Sequence, residues 1–268
     1  MSELLRRNRG PDDRGLVHRL TPEEAGWSYV GFELWRLAPG RGLEVAGDGR
    51  ERCLVLIGGR ARVRGDGTDF GTVGARRSPF DGDRPRPHAV YLPAGCGFAL
   101  EALEEVELAV ASAPGGGDFR PRHIRPEEVV ASVRGVGTNT RYIHDILPET
   151  APAHALLVVE VFTPGGHWSS YPPHKHDRDA PPAESRLEET YYHRIHPPRG
   201  FAFQRIYTDA RDLDVTLTVE DGDLVLVPRG YHPVAAAHGY DLYYLNVMAG
   251  PRRIWRFTTD PAHAWLLG

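Results

Sequence analysis

The chain lacks the features by which several classes of protein declare themselves. Two cysteines in 268 residues, Cys53 and Cys96, provide no disulfide framework. No apolar run approaches the roughly 20 residues that a membrane-spanning helix needs. The opening MSELLRRNRG has no apolar h-region of a signal peptide. A cytoplasmic address without membrane association is therefore expected. Charge of one sign is not in excess either, since 32 Lys and Arg face 36 Asp and Glu for a net charge of −4. With neither a basic stripe nor a helix-turn-helix pattern, nucleic acid is not expected as a partner, and a small molecule is. Long segments of helical period are missing too.

Turn chemistry is what the chain has in quantity. Its 30 glycines and 23 prolines are spread along the sequence, which suits many short strands joined by tight turns. Strand-like runs RCLVLIGG, RARVRG, HAVYLP and VELAVASA occupy the first half. ALLVVEVFTP, ETYYHRI, AFQRIYT, LTVEDGDLVLVP and YDLYYLNVMAG occupy the second. Between them SAPGGGDFRPRHIRP, Ser112 to Pro126, has the composition of a linker, and RPEEVVASVRG reads as a short helix or strand. An all-β chain of two tandem modules, residues 1–120 and 121–268, is expected. The halves share a skeleton, in which Glu51 and Glu189 stand ahead of hairpins and PAG (Pro93 to Gly95) and PRG (Pro228 to Gly230) each end a strand. This points to an internal duplication.

The chemistry concentrates in SSYPPHKHDRDAPPAESRLEETYYHRI, Ser169 to Ile195. Side chains at i and i+2 of a strand share a face, so His174 and His176 can converge on one ion. Glu188 or Glu189 can join from the adjoining strand. A third imidazole, His232, emerges at the end of the apolar strand in GDLVLVPRGYHPV. Three imidazoles and a carboxylate would leave positions open for water or substrate on a five- or six-coordinate divalent ion. A lone HxH is more often surface polarity, and 13 histidines make chance pairs common; the ordered set, ending in PxG and a histidine, is what raises the metal reading. His154, His193, His196, His238 and His263 read as structural or solvent-facing, although His193 shares strand parity with Glu189.

That ordered set resembles the cupin pattern. Seven residues separate Gly166 from His174, the insert DRDAPPAESRLE is long, and His232 sits one residue closer to its glycine than in the usual PxGxxH. These departures leave Glu188 open beside Glu189, which fits the usual strand frame. The second half further resembles the 5-deoxy-glucuronate isomerases of myo-inositol catabolism, through SYPPHKHD, EETYYHRI, GFAFQRIYT, DGDLVLVPRGYHPV and above all GYDLYYLNVMAGPRRIWRFTTDPAHAW. GVGTNTRYIHDI, SPFDGDRP and VYLP give weaker support.

The resemblance implies a bicupin, two tandem jelly-roll-like barrels, with the metal and active site in the C-terminal module. The N-terminal module, with no HxH and with Phe98 where a ligand would fall, is expected to be metal-free, and Glu51 reads as an ordinary strand-start carboxylate. One divalent ion, Zn, Mn, Fe, Co or Ni, is implied. So is the interconversion of 5-deoxy-D-glucuronate and 2-deoxy-5-keto-D-gluconate through an enediolate, with the metal as Lewis acid. Glu189, Tyr231, Tyr244 and His193 are candidates for the base. Arg141 and Arg205 are candidates for the sugar-acid carboxylate, and Gln204 and Asn246, polar in apolar strands, for its hydroxyls. Tyr171, Tyr243 and Trp255 could wall the pocket. Rival readings are an Fe(II)-dependent dioxygenase on the same ligands, an isomerase of a related keto-deoxyuronate, and a non-catalytic sugar-binding module. A monomer or small homo-oligomer is expected.

Overall fold

A computed structural model describes residues 4–267. The strands form where side chains alternate, as in Ala61–Gly65, which buries Ala61, Val63 and Gly65 and exposes Arg62 and Arg64. Arg50–Gly58 and Leu224–Val227 are buried almost throughout because each lies inside a sheet with both faces covered. Helix is scarce among the described residues: one turn, Pro22–Ala25, closed by a capping box between Thr21 and Glu24, and three 3-10 segments. RPEEVVASVRG resolves into a 3-10 turn, Pro126–Glu128, and a strand, Val130–Arg134. Among the described residues no helix is long and apolar enough to cross a membrane.

The chain divides into two compact units. One comprises Arg9–Val130 and Asp145–Val158; the other comprises, of the described residues, 4–8, Ala131–His144 and 159–267. The first holds a six-stranded sheet in the order Arg122–Ile124, Ala89–Leu92, Arg50–Gly58, Val106–Pro114, Gly31–Leu37, Leu16–Leu20. Beside it is a four-stranded sheet, Gly42–Val45, Phe98–Ala102, Ala61–Gly65, Thr68–Val73. Leu54, Leu56, Val63, Leu92, Phe98 and Leu108 form part of one continuous buried core of this unit.

The larger sheet of the other unit runs Leu5–Arg6, Leu224–Val227, Glu188–His196, Asp241–Ala249, Leu157–Thr163, Arg141–Leu147, Val130–Arg134. A four-stranded sheet, Trp168–Ser169, Val234–Ala236, Phe201–Tyr207, Asp214–Glu220, and the pair His174–Lys175 with Thr258–Thr259 complete it. Apart from one added edge strand and the pair His174–Lys175 with Thr258–Thr259, the two units repeat one strand order, with Glu51 and Glu189 on corresponding strands. The shared skeleton legible in the sequence is thus matched by the topology.

A single cut between residues 120 and 121 does not describe the division. Leu5 and Arg6 pair with Val225 and Leu224, and Arg7 Nη1 donates to Asp223 Oδ2 at 2.7 Å, which ties the N-terminal strand to the unit built mainly from the second half. Residues 145–158 join the first unit through Glu51. Its buried carboxylate accepts the backbone N–H groups of His154 (2.8 Å), Ala155 (2.6 Å) and Leu156 (2.6 Å) and the Tyr91 hydroxyl (2.6 Å). Glu51 is therefore not an ordinary strand-start carboxylate: with four charge-assisted hydrogen bonds it anchors a segment about a hundred residues away in sequence.

Candidate metal centre

The strand Glu188–His196 decides which side chains meet. Antiparallel partners project to the same side, so Glu189, Tyr191 and His193 share a face with Met248, Asn246 and Tyr244 opposite them. Glu188 projects to the other face. Glu189 accordingly approaches the histidines, with Oε2 3.0 Å from His176 Nε2 and 3.2 Å from His232 Nε2. His174 is fixed by the pairing of His174–Lys175 with Thr259 and Thr258. Ring centroids of His232 lie 4.8 Å from those of His174 and 5.0 Å from those of His176. The candidate ligand nitrogens of His174, His176 and His232 lie within 4.8 Å of one another, and all three residues form the one such cluster among the described residues.

The back of each ring is already held. His232 Nδ1 lies 2.8 Å from the Gly230 carbonyl and His176 Nδ1 3.2 Å from that of Leu187, while His174 bonds the carbonyl of Pro172. A ring that donates one N–H to a carbonyl presents its other nitrogen as a lone pair, the usual arrangement behind a metal-ligating imidazole. His232 Nε2 is buried and makes no hydrogen bond among the described residues. A buried acceptor of that kind calls for a partner, and a cation amid three imidazoles and a carboxylate supplies one. The donor set thus fits a divalent metal.

The electrostatics agree. Burial, reinforced by the neighbouring imidazoles, holds His174 well below its ordinary pKa, and burial pulls His232 down to about 4, so both rings are neutral near pH 7. For His176, burial is the largest single influence and opposes charge, yet the hydrogen bond and charge of Glu189 outweigh it and the pKa is raised.

Lys175, between the two histidines, projects away from them and is buried. Its ammonium pairs with Asp209 and lies 3.4 Å from Asp177 Oδ1, over the ring of Tyr231. The Tyr231 hydroxyl donates to Asp209 Oδ1 at 2.8 Å, and Gly230 N–H donates to Asp177 Oδ2 at 3.0 Å. Gly230 itself has φ +88°, and a Cβ there would run into the Tyr207 carbonyl. This cluster clamps the HKHD segment to the PRGYH segment and so sets the spacing of the triad. Lys175→Met is expected to weaken metal affinity about 10-fold while the chain stays folded; a metal titration followed by mass spectrometry and circular dichroism checks it.

A cavity opens beside the triad, lined by Arg134, Arg141, Ser170, Tyr171, His174, Glu189, Tyr191, Tyr244, Asn246, Trp255 and Phe257, among others. Of the residues expected from the sequence, Arg141, Tyr171, Tyr244, Asn246 and Trp255 reach it. Four do not. Arg205 lies on the exposed face of Phe201–Tyr207, in a two-point pair with Asp214 (2.8 and 2.7 Å). Gln204, buried on the opposite face of that strand, accepts from His193 Nε2 at 3.0 Å. Tyr231 is spent on Asp209, and the Tyr243 hydroxyl donates to Glu160 at 3.0 Å on the far face of its sheet. His193 is buried, which lowers its pKa to about 4, so it is a neutral core group and not a solvent-facing one.

Tyr191 was not singled out by the sequence reading, although it stands two residues from Glu189 and so on the same face. Its hydroxyl bonds Glu189 and lies 3.0 Å from Ser170 Oγ, which lies 3.5 Å from the Tyr244 hydroxyl. A chain of hydroxyls thereby leads from Glu189 along the cavity wall. Burial, with the Glu189 charge, raises the Tyr191 pKa well above its ordinary value, so these hydroxyls stay protonated donors.

The KduI/IolB family model matches residues 4–266, nearly the whole chain. This chain belongs to the KduI/IolB family. A 5-deoxy-glucuronate isomerase of Geobacillus kaustophilus is 51% identical to this KduI/IolB chain over 267 residues, covering 100% of it and 96% of the relative. The crystal structure of an IolB-like protein from Salmonella typhimurium LT2 superposes with a TM-score of 0.96 at 48% identity, over 100% of both chains. An oxalate decarboxylase of Lactobacillus farciminis, at 14% identity and a TM-score of 0.68 over 97% of this chain and 89% of its own, shares the fold alone. The all-β cupin fold expected from the sequence is the fold this KduI/IolB member adopts.

Proposed function

We propose that the chain is an aldose-ketose isomerase of myo-inositol catabolism that converts 5-deoxy-D-glucuronate to 2-deoxy-5-keto-D-gluconate. One observation carries the reading: a full-length match at 51% identity to a 5-deoxy-glucuronate isomerase, in a chain that brings three buried histidines and Glu189 to the wall of one cavity. His174, His176, His232 and Glu189 would hold the ion, and three nitrogens with one oxygen suit Zn, Mn, Fe, Co or Ni alike. When bound, it would act as a Lewis acid toward the carbonyl and neighbouring hydroxyl oxygens of the sugar. The other unit, with no HxH and with Glu51 committed to backbone donors, takes no metal in this reading.

The reaction moves the carbon-bound proton from C2 to C1 and the hydroxyl proton from O2 to O1, with no net oxidation. Glu189 is the carboxylate in the cavity wall, and in this reading it takes and returns the carbon-bound proton. The hydroxyls of Tyr191, Ser170 and Tyr244 form a path for the oxygen-bound proton. Asn246 offers its amide to the sugar hydroxyls, and Tyr171, Trp255 and Phe257 shield the site from water. Tyr231 and Gln204 act indirectly, through the loop of His232 and through His193.

The test is an anaerobic proton-NMR time course of the metal-loaded protein in D2O. Aldehyde signal should give way to ketose without oxygen. An unchanged spectrum that moves only when oxygen is admitted would turn the reading toward a dioxygenase. Glu189→Gln should lower kcat about 10²- to 10⁴-fold and Tyr244→Phe less; the reverse order would transfer the carbon-bound proton to Tyr244.

A further inference from the structure

The arginines of this unit are, as a rule, matched to carboxylates: Arg194 with Asp221, Arg205 with Asp214, Arg229 with Asp212. Two are not. Arg134 and Arg141 both line the cavity, and neither has a carboxylate partner among the described residues. Arg134, at the end of the strand Val130–Arg134, lies over the Trp255 ring at 5.8 Å. Arg141 starts the next strand, and Nη1 donates to the Asn139 carbonyl at 3.1 Å.

The loop between them is shaped around this arrangement. Gly135 has φ +79°, and a Cβ there would strike the Asn139 carbonyl and come within 2.8 Å of Arg141 Nη1. The guanidinium is thus seated against a bare backbone. Burial, and beyond it the charge of Arg134, pulls the Arg141 pKa below its ordinary value. Two like charges converging on a partly desolvated cavity cost free energy, which an anion bound between them would return.

We infer that Arg134 and Arg141 together form a carboxylate clamp, which holds the acid end of an open-chain sugar acid while its carbonyl end faces the histidines. The inference rests on the isomerase reading for the identity of the substrate and on geometry for the clamp. In 5-deoxy-D-glucuronate the carboxylate is at the opposite end of a six-carbon chain from the reacting carbons, and the cavity presents the two arginines together with His174 and Glu189. Planar guanidinium forks match a carboxylate in two-point geometry, whereas a neutral aldose offers them nothing comparable. The clamp therefore selects uronic acids over neutral sugars.

The experiment uses the full chain loaded with metal and the variants Arg134→Gln, Arg141→Gln and Arg141→Lys. Calorimetric titration with D-glucuronate and with D-glucose reads the clamp without turnover. Wild type should prefer glucuronate, and each Gln variant should weaken glucuronate by roughly 10- to 100-fold with glucose unchanged. Arg141→Lys, which keeps the charge and loses the fork, should fall between. With 5-deoxy-D-glucuronate, KM should rise by the same factor as glucuronate binding weakens, and kcat should change far less. Unchanged glucuronate affinity in both Gln variants would overturn the clamp, and loss in Arg141→Gln alone would overturn the pair. Arginine-dependent glucuronate binding without any turnover of 5-deoxy-D-glucuronate would instead overturn the isomerase reading and leave the clamp standing.

Discussion

Replacing His232 by alanine is expected to abolish stoichiometric metal binding and to lower isomerase activity at least about 10³-fold, and His174→Ala should do the same. Either change removes one of three converging imidazoles whose far nitrogens are already committed to backbone carbonyls, so no neighbouring ring can rotate in to replace it. The loss should be specific to the metal. His232 is neutral and buried, with Nδ1 satisfied locally by Gly230, so truncation leaves a small cavity and the sheets intact. Metal content by mass spectrometry, beside kcat, checks it, and a His232→Ala protein that kept one metal per chain would exclude His232 from the ligand set. The loading should also depend on pH. His174 and His232 are neutral well below pH 7, whereas Glu189 keeps a proton on His176 to higher pH, so metal must displace that proton. Affinity is accordingly expected to fall as pH drops through the raised pKa of His176, with close to one proton released per metal bound on the acid side.

What the sequence revealed and what it hid follow from the range of the forces involved. Period-two alternation and turn residues are local, so the all-β architecture, the repeated skeleton and the strand that leads to His232 were legible. Parity is local too. It places Glu189 and not Glu188 beside the histidines, and it separates Gln204 from Arg205, which as neighbours in one strand could never both face the cavity. Tyr191 was within reach of the same rule. Tyr231 looked catalytic because it adjoins His232, but its hydroxyl went to Asp209 instead. Arg134 could not be found this way, since its place over Trp255 joins positions more than a hundred residues apart. The interleaved unit boundary was hidden for the same reason: nothing near Leu5 announces Val225 as its partner.

Glu51 is the sharpest case of such hidden long-range chemistry, and it supports the largest stability effect expected in the molecule. Oε1 accepts from Ala155 and Leu156, and Oε2 accepts from His154 and the Tyr91 hydroxyl, so both oxygens are saturated inside the first unit. Glu51→Ala would leave three backbone donors and one hydroxyl buried without a partner. At about 1–3 kcal/mol for each unsatisfied donor, offset by local rearrangement and entry of water, the net loss is expected near 4–5 kcal/mol. The apparent unfolding midpoint should then fall by about 10 °C or more. Glu51→Gln is the more searching variant because it preserves volume. Turned one way, its NH2 group meets the Ala155 and Leu156 N–H donors; turned the other, it can donate to the Tyr91 hydroxyl but still meets the His154 N–H, so the isosteric change should cost less than alanine but more than Tyr91→Phe. Tyr91→Phe removes a donor together with its need, and about 1 kcal/mol is expected. Thermal unfolding of the three variants ranks them. If Glu51→Gln shifts the midpoint no more than Tyr91→Phe does, the carboxylate is not the anchor of residues 145–158, and packing alone holds that segment to its unit.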